Sequence, residues 1–249
     1  MEQAALPPSE LRLEELLRPG ASAASARFCA RLRRDSYARV SLPPDASALL
    51  LRAQAECSAW FAQPDAAKLA QAGELAPREG RYVGYSRNVG RRELLELRSD
   101  DDGVRPRAVG GAAPALCALL EALEGWAQAL LGHVARDLGL GDRFFARMAE
   151  EAVQPEVSAG YHPYAELRDA LGHSPLRVCR YDGADHGVLC AAHRDVGLIT
   201  LNPAAARPGL QAWCEASRRW IDLHELDRSG CDLGSAAEEA AAAAEAVAA

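Results

Sequence analysis

The chain has 249 residues, 49% of them hydrophobic, which suits one domain, or one barrel domain with a helical N-terminal extension, around a sizeable core. A net charge of −7, with 28 Lys and Arg residues that form no dense run, excludes the basic footprint of a nucleic-acid binder and favours a small polar substrate. The opening MEQAALPPSE has neither the basic nor the apolar region of a leader, and no run of 18 apolar residues occurs, so a cytoplasmic protein with no membrane partner is expected.

In chain order, Ser9 is placed to cap a short helix carrying Leu11, Leu13, Leu16 and Leu17, which Pro19-Gly20 stops. Tyr37–Val40 reads as a strand ending at Pro43-Pro44. Asp45 is placed to cap a second helix whose Leu49, Ala53, Cys57, Trp60 and Phe61 recur at spacings of three and four, so that stripe faces the core. Lys68, just beyond it, reads as a solvated surface charge. Gly80–Tyr85 and Arg92–Leu97 follow as a hairpin, in which Arg81, Tyr82 and Tyr85 are either exposed loop residues or substrate contacts. Asp100–Gly103 reads as a solvated acidic turn.

Pro114 to Leu138 carries the longest helical signal, with leucines along one broad face; His133 within it reads as structural or solvated. Gly139 and Gly141 end that helix, and Asp142 is placed to cap a shorter one that buries Phe144, Phe145 and Met148. Residues 153–175, with His162 and His173, form an irregular stretch suited to substrate loops. The seven cysteines are odd in number, widely spaced and without C-x-x-C, so neither a disulfide framework nor a zinc cluster follows, and they read as reduced, mostly buried thiols.

The most informative stretch is Leu176 to Leu223. Leu176–Tyr181 alternates as a strand, placing Leu176, Val178 and Arg180 opposite Arg177, Cys179 and Tyr181. In extended backbone, side chains at i and i+2 share a face, so His193 and Asp195 offer an imidazole and a carboxylate to one small volume. Val196–Leu201 continues that strand, with Leu198, Thr200 and Leu210 as candidate inward residues. Gly209–Trp213 and Trp220–Leu223 read as a hairpin.

That ordered set, His193-Arg194-Asp195 followed by VGLITL, then Gly209-Leu210-Gln211 and Trp220-Ile221-Asp222-Leu223, resembles the 2-oxoglutarate and Fe(II)-dependent dioxygenases of the isopenicillin N synthase-like family. The resemblance implies an α+β fold in which N-terminal helices pack on a double-stranded β-helix, a jelly-roll or cupin-like barrel, incomplete at its C-terminal end. It implies three regions: a helical part with short strands over 1–152, a partial barrel over 153–223, and a low-complexity Ala/Glu tail over 224–249.

It further implies Fe(II) held by His193 and Asp195 within a 2-His-1-carboxylate triad, and 2-oxoglutarate as co-substrate with Tyr181 among its contacts. The expected activity is oxygenation, hydroxylation or desaturation, of a small organic substrate. The sequence departs from the family at three places. Cys179 stands where the family has Asn; the only histidine after His193 is His224, which directly follows the last strand; and no R-x-S follows. The chain therefore reads as truncated before the distal His and the R-x-S Arg, with His224 or another chain as the substitute ligand. The alternatives are a non-catalytic fragment or interaction module of the same fold, self-associating through open sheet edges, and a cupin-like metal protein that uses no 2-oxoglutarate.

Overall fold

A computed structural model describes residues 11–78, 81–88, 92–98, 113–151, 174–181, 190–195, 197–203, 209–214 and 218–223. Ser9, the Asp100–Gly103 turn, His162, His173, His186, His224 and the Ala/Glu tail lie outside them. Contacts group the chain into two compact units, Met1–Leu42 with Asn202–Ala249, and Pro43–Leu201.

In the first unit, strand β1 (Leu11–Arg12) pairs in parallel with β2 (Val40–Ser41), and the short helix α1 (Leu13–Leu16) buries Leu13 and Leu16. Helix α2 (Ser22–Asp35) follows, ended by Ser36 in the left-handed region at φ 63°. No helix is expected there from the sequence, yet Ala24, Phe28, Cys29 and Leu32 recur at spacings of three and four, a narrow stripe set among Ala, Ser and Arg. The anticipated strand at Tyr37–Val40 shrinks to two residues. The hairpin of β7 (Gln211–Cys214) and β8 (Arg219–Asp222) forms as anticipated, with Trp213 and Trp220 edge to face at 5.6 Å; Leu210, expected inside, is 46% exposed.

The second unit holds helix α3 (Pro44–Phe61), α4 (Asp65–Ala72), α5 (Pro114–Asp137) and α6 (Phe144–Glu151). It also holds an antiparallel sheet in the order β3 (Ala76–Arg78), β4 (Arg81–Asn88), β5 (Arg92–Leu97), β6 (Leu176–Tyr181). Pro44 occupies the first turn of α3, where its missing N–H costs nothing. Asp45 sits inside that turn and makes no capping bond, which corrects its expected role. At the other end of the core, Glu56 of α3 accepts from the Ala115 and Leu116 N–H groups (3.2 and 3.0 Å), satisfying two of the orphan donors at the start of α5.

The expected stripe of α3 forms the core. Ala53, Cys57, Trp60 and Phe61 are buried with Tyr85, Leu95, Leu97, Leu116 and Leu119, and Leu49, Leu176 and Val178 pack at its margin. Each buried leucine contributes about 1.5–3 kcal/mol. Trp60 meets Phe61 and Tyr85 edge to face at 5.1 and 5.4 Å, and its indole N–H donates to Gln71. Tyr85 is thus a core residue. Helix α5 is long and apolar enough, by length and composition alone, to cross a bilayer; here it packs against α3. Its His133 is buried, with Arg136 donating to Nδ1 at 2.8 Å, as the structural reading has it. Helix α6 does not bury its apolar side: Phe144 and Met148 are 39% and 46% exposed.

Gly84 holds the sheet to the end of α4. Its φ of +118° is closed to most side chains, and a Cβ there would stand 2.7 Å from the Glu74 carbonyl oxygen. Gly84→Ala is expected to cost about 1–3 kcal/mol or more in strain, read as a lowered midpoint in urea unfolding; an unchanged midpoint would show that the backbone relaxes freely.

Candidate metal centre

The sheet has two chemically different faces. In antiparallel pairing, directly opposed residues point the same way, and the register opposes Arg87, Glu93 and Arg180 in one row and Asn88, Arg92 and Tyr181 in the next. The first row lies on the face that carries Leu95, Leu97 and Val178 to the helices. The second shares its face with Leu94, Glu96, Arg177 and Cys179. The strand alternation read from Leu176–Tyr181 is therefore reproduced.

On the helical face Lys68, read from sequence as a solvated charge, is buried at 1% exposure. Its ammonium donates to Glu93 Oε1 at 2.9 Å and to the Phe61 carbonyl at 3.3 Å, lies 3.0 Å from Asp65 Oδ1, and sits 4.9 Å over the Tyr85 ring. The correction has a physical reason: α4 turns this residue onto the sheet, where an equally buried carboxylate waits. Arg87 donates to Asp65, and Arg180 donates to the Phe61 carbonyl at 2.7 Å, beside Glu93. These groups line an open cavity of about 420 Å³. The signal in the sequence was Glu93-x-Leu95-x-Leu97, a carboxylate on the apolar side of a period-two strand.

Burial would lower the Lys68 pKa, but its bonds to Glu93, Tyr85 and Asp65 outweigh this and raise it above the usual lysine value. Hydrogen bonds from Lys68 and then Arg87 hold the Asp65 carboxyl down at about 2. A folded-state pKa below the unfolded value of about 3.9 means stability that is present above that pH and is lost as pH falls toward 2. Asp65→Asn should accordingly flatten the acid decline of the thermal midpoint over this interval, and an unaltered slope would assign the decline to other groups.

On the opposite face Glu96 is buried between Arg98 (2.9 Å) and Arg177 (2.7 Å). Burial, then the neighbouring thiols of Cys179 and Cys190, push the Tyr181 phenol up to about 12. Cys190, not singled out in the sequence, leads from Tyr181 to the predicted ligands, its sulfur lying 3.8 Å from His193 Nδ1.

Residues 190–195 form no regular strand, which corrects that expectation, and Leu198 and Thr200 are exposed instead of inward. His193 and Asp195 nevertheless come together. His193 Nδ1 lies 2.9 Å from the Ala191 carbonyl, so that nitrogen carries a proton and directs Nε2 at Asp195 Oδ1, 3.1 Å away. Both side chains are about half exposed. At this distance the two atoms either share a proton in a hydrogen bond or stand as neighbouring donors to one cation beside them. Two donors bound at about 2.1 Å in adjacent octahedral positions are separated by about 3.0 Å, so the pair fits one metal ion. Among the described residues no third His, Cys, Asp or Glu joins it.

No protein-family model and no curated protein matches the chain. A solved structure assigned to the 2OG-Fe(II) oxygenase family, from Caulobacter crescentus, is similar to it at 20% identity and a TM-score of 0.58, over 80% of this chain and 65% of that one. The two share a fold. That fold mixes helices and strands as expected, although among the described residues the strands form separate sheets and no closed barrel. This chain spans about 65% of the Caulobacter protein's length. A rice dioxygenase for auxin oxidation is 25% identical over 53% of this chain and 45% of its own, at a TM-score of 0.38.

Proposed function

We propose that this chain is an oxygenase of the Fe(II) and 2-oxoglutarate-dependent kind, acting on a small organic substrate, its sheet forming part of a double-stranded β-helix. The observation that carries the reading is the His193 Nε2 and Asp195 Oδ1 pair, set 3.1 Å apart with the other imidazole nitrogen tied to backbone. The shared fold supports it, as does Tyr181, which stands two residues beyond Cys179 on the face that reaches His193 through Cys190.

Iron bound there would supply O₂ activation, coupled to decarboxylation of 2-oxoglutarate to succinate and CO₂. The chain's own residues do the rest. The Ala191 carbonyl fixes the imidazole tautomer and ring plane, which spares the site reorganisation when a cation arrives. Asp195 supplies the negative charge that offsets the ion. Tyr181, with a phenol that stays protonated far above neutral pH, donates a hydrogen bond to an anionic co-substrate. Cys179 beside it has a weaker donor than the Asn of the family and contributes less to that binding.

The test is anaerobic addition of Fe(II) and 2-oxoglutarate to the full chain, followed by the visible absorption band that joint chelation produces, and then admission of O₂ with assay of succinate. A band and succinate support the reading; neither, from folded protein, overturns it. A second reading, a non-catalytic module of the same fold, is favoured by the count of two ligands among the described residues. It predicts folded protein with no band.

A further inference from the structure

The imidazole of His193 has two nitrogens, and the pair with Asp195 uses only Nε2. On the other edge of the ring, Cys190 Sγ lies 3.8 Å from Nδ1 and the Ala191 carbonyl oxygen lies 2.9 Å from it. The Cys190 thiol is exposed and in no disulfide. Only two residues separate Cys190 from His193, a spacer of the length that metal-binding turns use between ligands. At metal–sulfur and metal–nitrogen lengths of about 2.3 and 2.1 Å, two tetrahedral ligands stand about 3.6 Å apart, close to the distance between Sγ and Nδ1. The 3.1 Å between Nε2 and Asp195 Oδ1 suits the right-angled donors of an octahedral ion instead.

We infer that Cys190 Sγ and His193 Nδ1 form a second metal site, for a thiophilic ion such as Zn(II) or Cd(II), and that this site and the Nε2 and Asp195 pair exclude one another. A ring nitrogen binds a metal through its lone pair, so binding at Nδ1 moves the ring proton to Nε2, where Asp195 Oδ1 at 3.1 Å accepts it. Asp195 then becomes the outer carboxylate that orients a metal-bound histidine. The thiol proton leaves to solvent. Binding at Nε2 does the reverse: the ring proton sits on Nδ1 and is donated to the Ala191 carbonyl. One ring proton thus keeps His193 from serving both ions at once. Ligand softness sorts them, since a thiolate selects soft ions and a carboxylate hard ones. Among the described residues no third His, Cys, Asp or Glu joins Cys190 and His193, so the Ala191 carbonyl oxygen and water complete the shell. A soft ion held there takes His193 away from iron, a consequence that rests on the oxygenase reading, whereas the thiolate site itself does not.

The experiment adds Cd(II) to the reduced full chain and follows the near-ultraviolet charge-transfer band of a cadmium–thiolate bond, with nitrogen NMR of the histidine rings to show which nitrogen binds. Wild-type protein should develop the band and bind through Nδ1 of His193. Cys190→Ser should lose the band, and both Cys190→Ser and His193→Gln should weaken Cd(II) binding by at least about 10- to 100-fold, the loss that follows removal of even an outer partner of a metal ligand. Both side chains are exposed, so both variants should fold, which circular dichroism checks. A band kept in full by Cys190→Ser assigns it to other thiols and overturns the inference, as does Cd(II) on Nε2 of the wild type. Either result leaves the oxygenase reading to its own Fe(II) titration. In protein that holds Fe(II), Cd(II) should displace the iron from wild type and spare it in Cys190→Ser; iron that stays while Cd(II) fills the thiolate site overturns the mutual exclusion.

Discussion

Lys68→Met is expected to destabilise the protein by about 3–5 kcal/mol, the cost of breaking a buried ion pair by removing the cation that hydrogen-bonds the carboxylate. Glu93 is 1% exposed and its Oε1 is held by Lys68 at 2.9 Å, while its Oε2 has no hydrogen bond. Arg180 lies 3.7 Å from that second oxygen and Arg87 lies 3.5 Å from the first, too far to replace the lost bond without moving. Denaturant unfolding of wild type and variant measures the loss. The double variant Lys68→Met with Glu93→Leu should recover most of it, because an apolar pair of similar volume carries no desolvation penalty. A single-variant loss below about 1 kcal/mol would put the pair in the class of solvent-screened bridges. The raised Lys68 pKa adds a pH signature. Stability from this residue is complete below the unfolded lysine value near 10.4 and declines only as pH rises through the higher folded value.

His193→Ala is expected to lower the affinity for Fe(II) or Co(II) by more than about 100-fold, since loss of a partner one step removed from a metal already costs 10- to 100-fold. Asp195→Ala should do likewise, because the two donors face each other at 3.1 Å and neither holds a cation alone. Anaerobic metal titration gives the affinity, and the absorption band formed with 2-oxoglutarate should disappear in both variants. Retention of metal by both would locate binding elsewhere and end the case for this pair. Because the side chains are about half exposed, their loss should leave the unfolding free energy within about 0.5 kcal/mol of wild type. Metal loss and fold loss are therefore separable.

The period of the apolar residues determined the two long helices, since a stripe at spacings of three and four has one way to be buried. Leu49 to Phe61 and Leu116 to Leu138 were legible for that reason, and so were the alternation of Leu176–Tyr181 and the His193-x-Asp195 spacing. Helix α2 was not, although Ala24, Phe28, Cys29 and Leu32 recur at spacings of three and four, because that stripe is narrow and lies among Ala, Ser and Arg residues. Composition alone also misplaced Lys68, a residue type almost always solvated. Whether a charge is buried depends on what the fold sets opposite it, and Glu93, 25 residues away, becomes its partner only when α4 packs on the sheet. The same holds for Arg92 and Tyr181, separated by 89 positions and joined by strand register. Spacing fixes which side chains share a face of one element. Which two faces meet is decided by long-range packing, and that is where the ion network of this protein and the polar surroundings of its candidate metal pair arise.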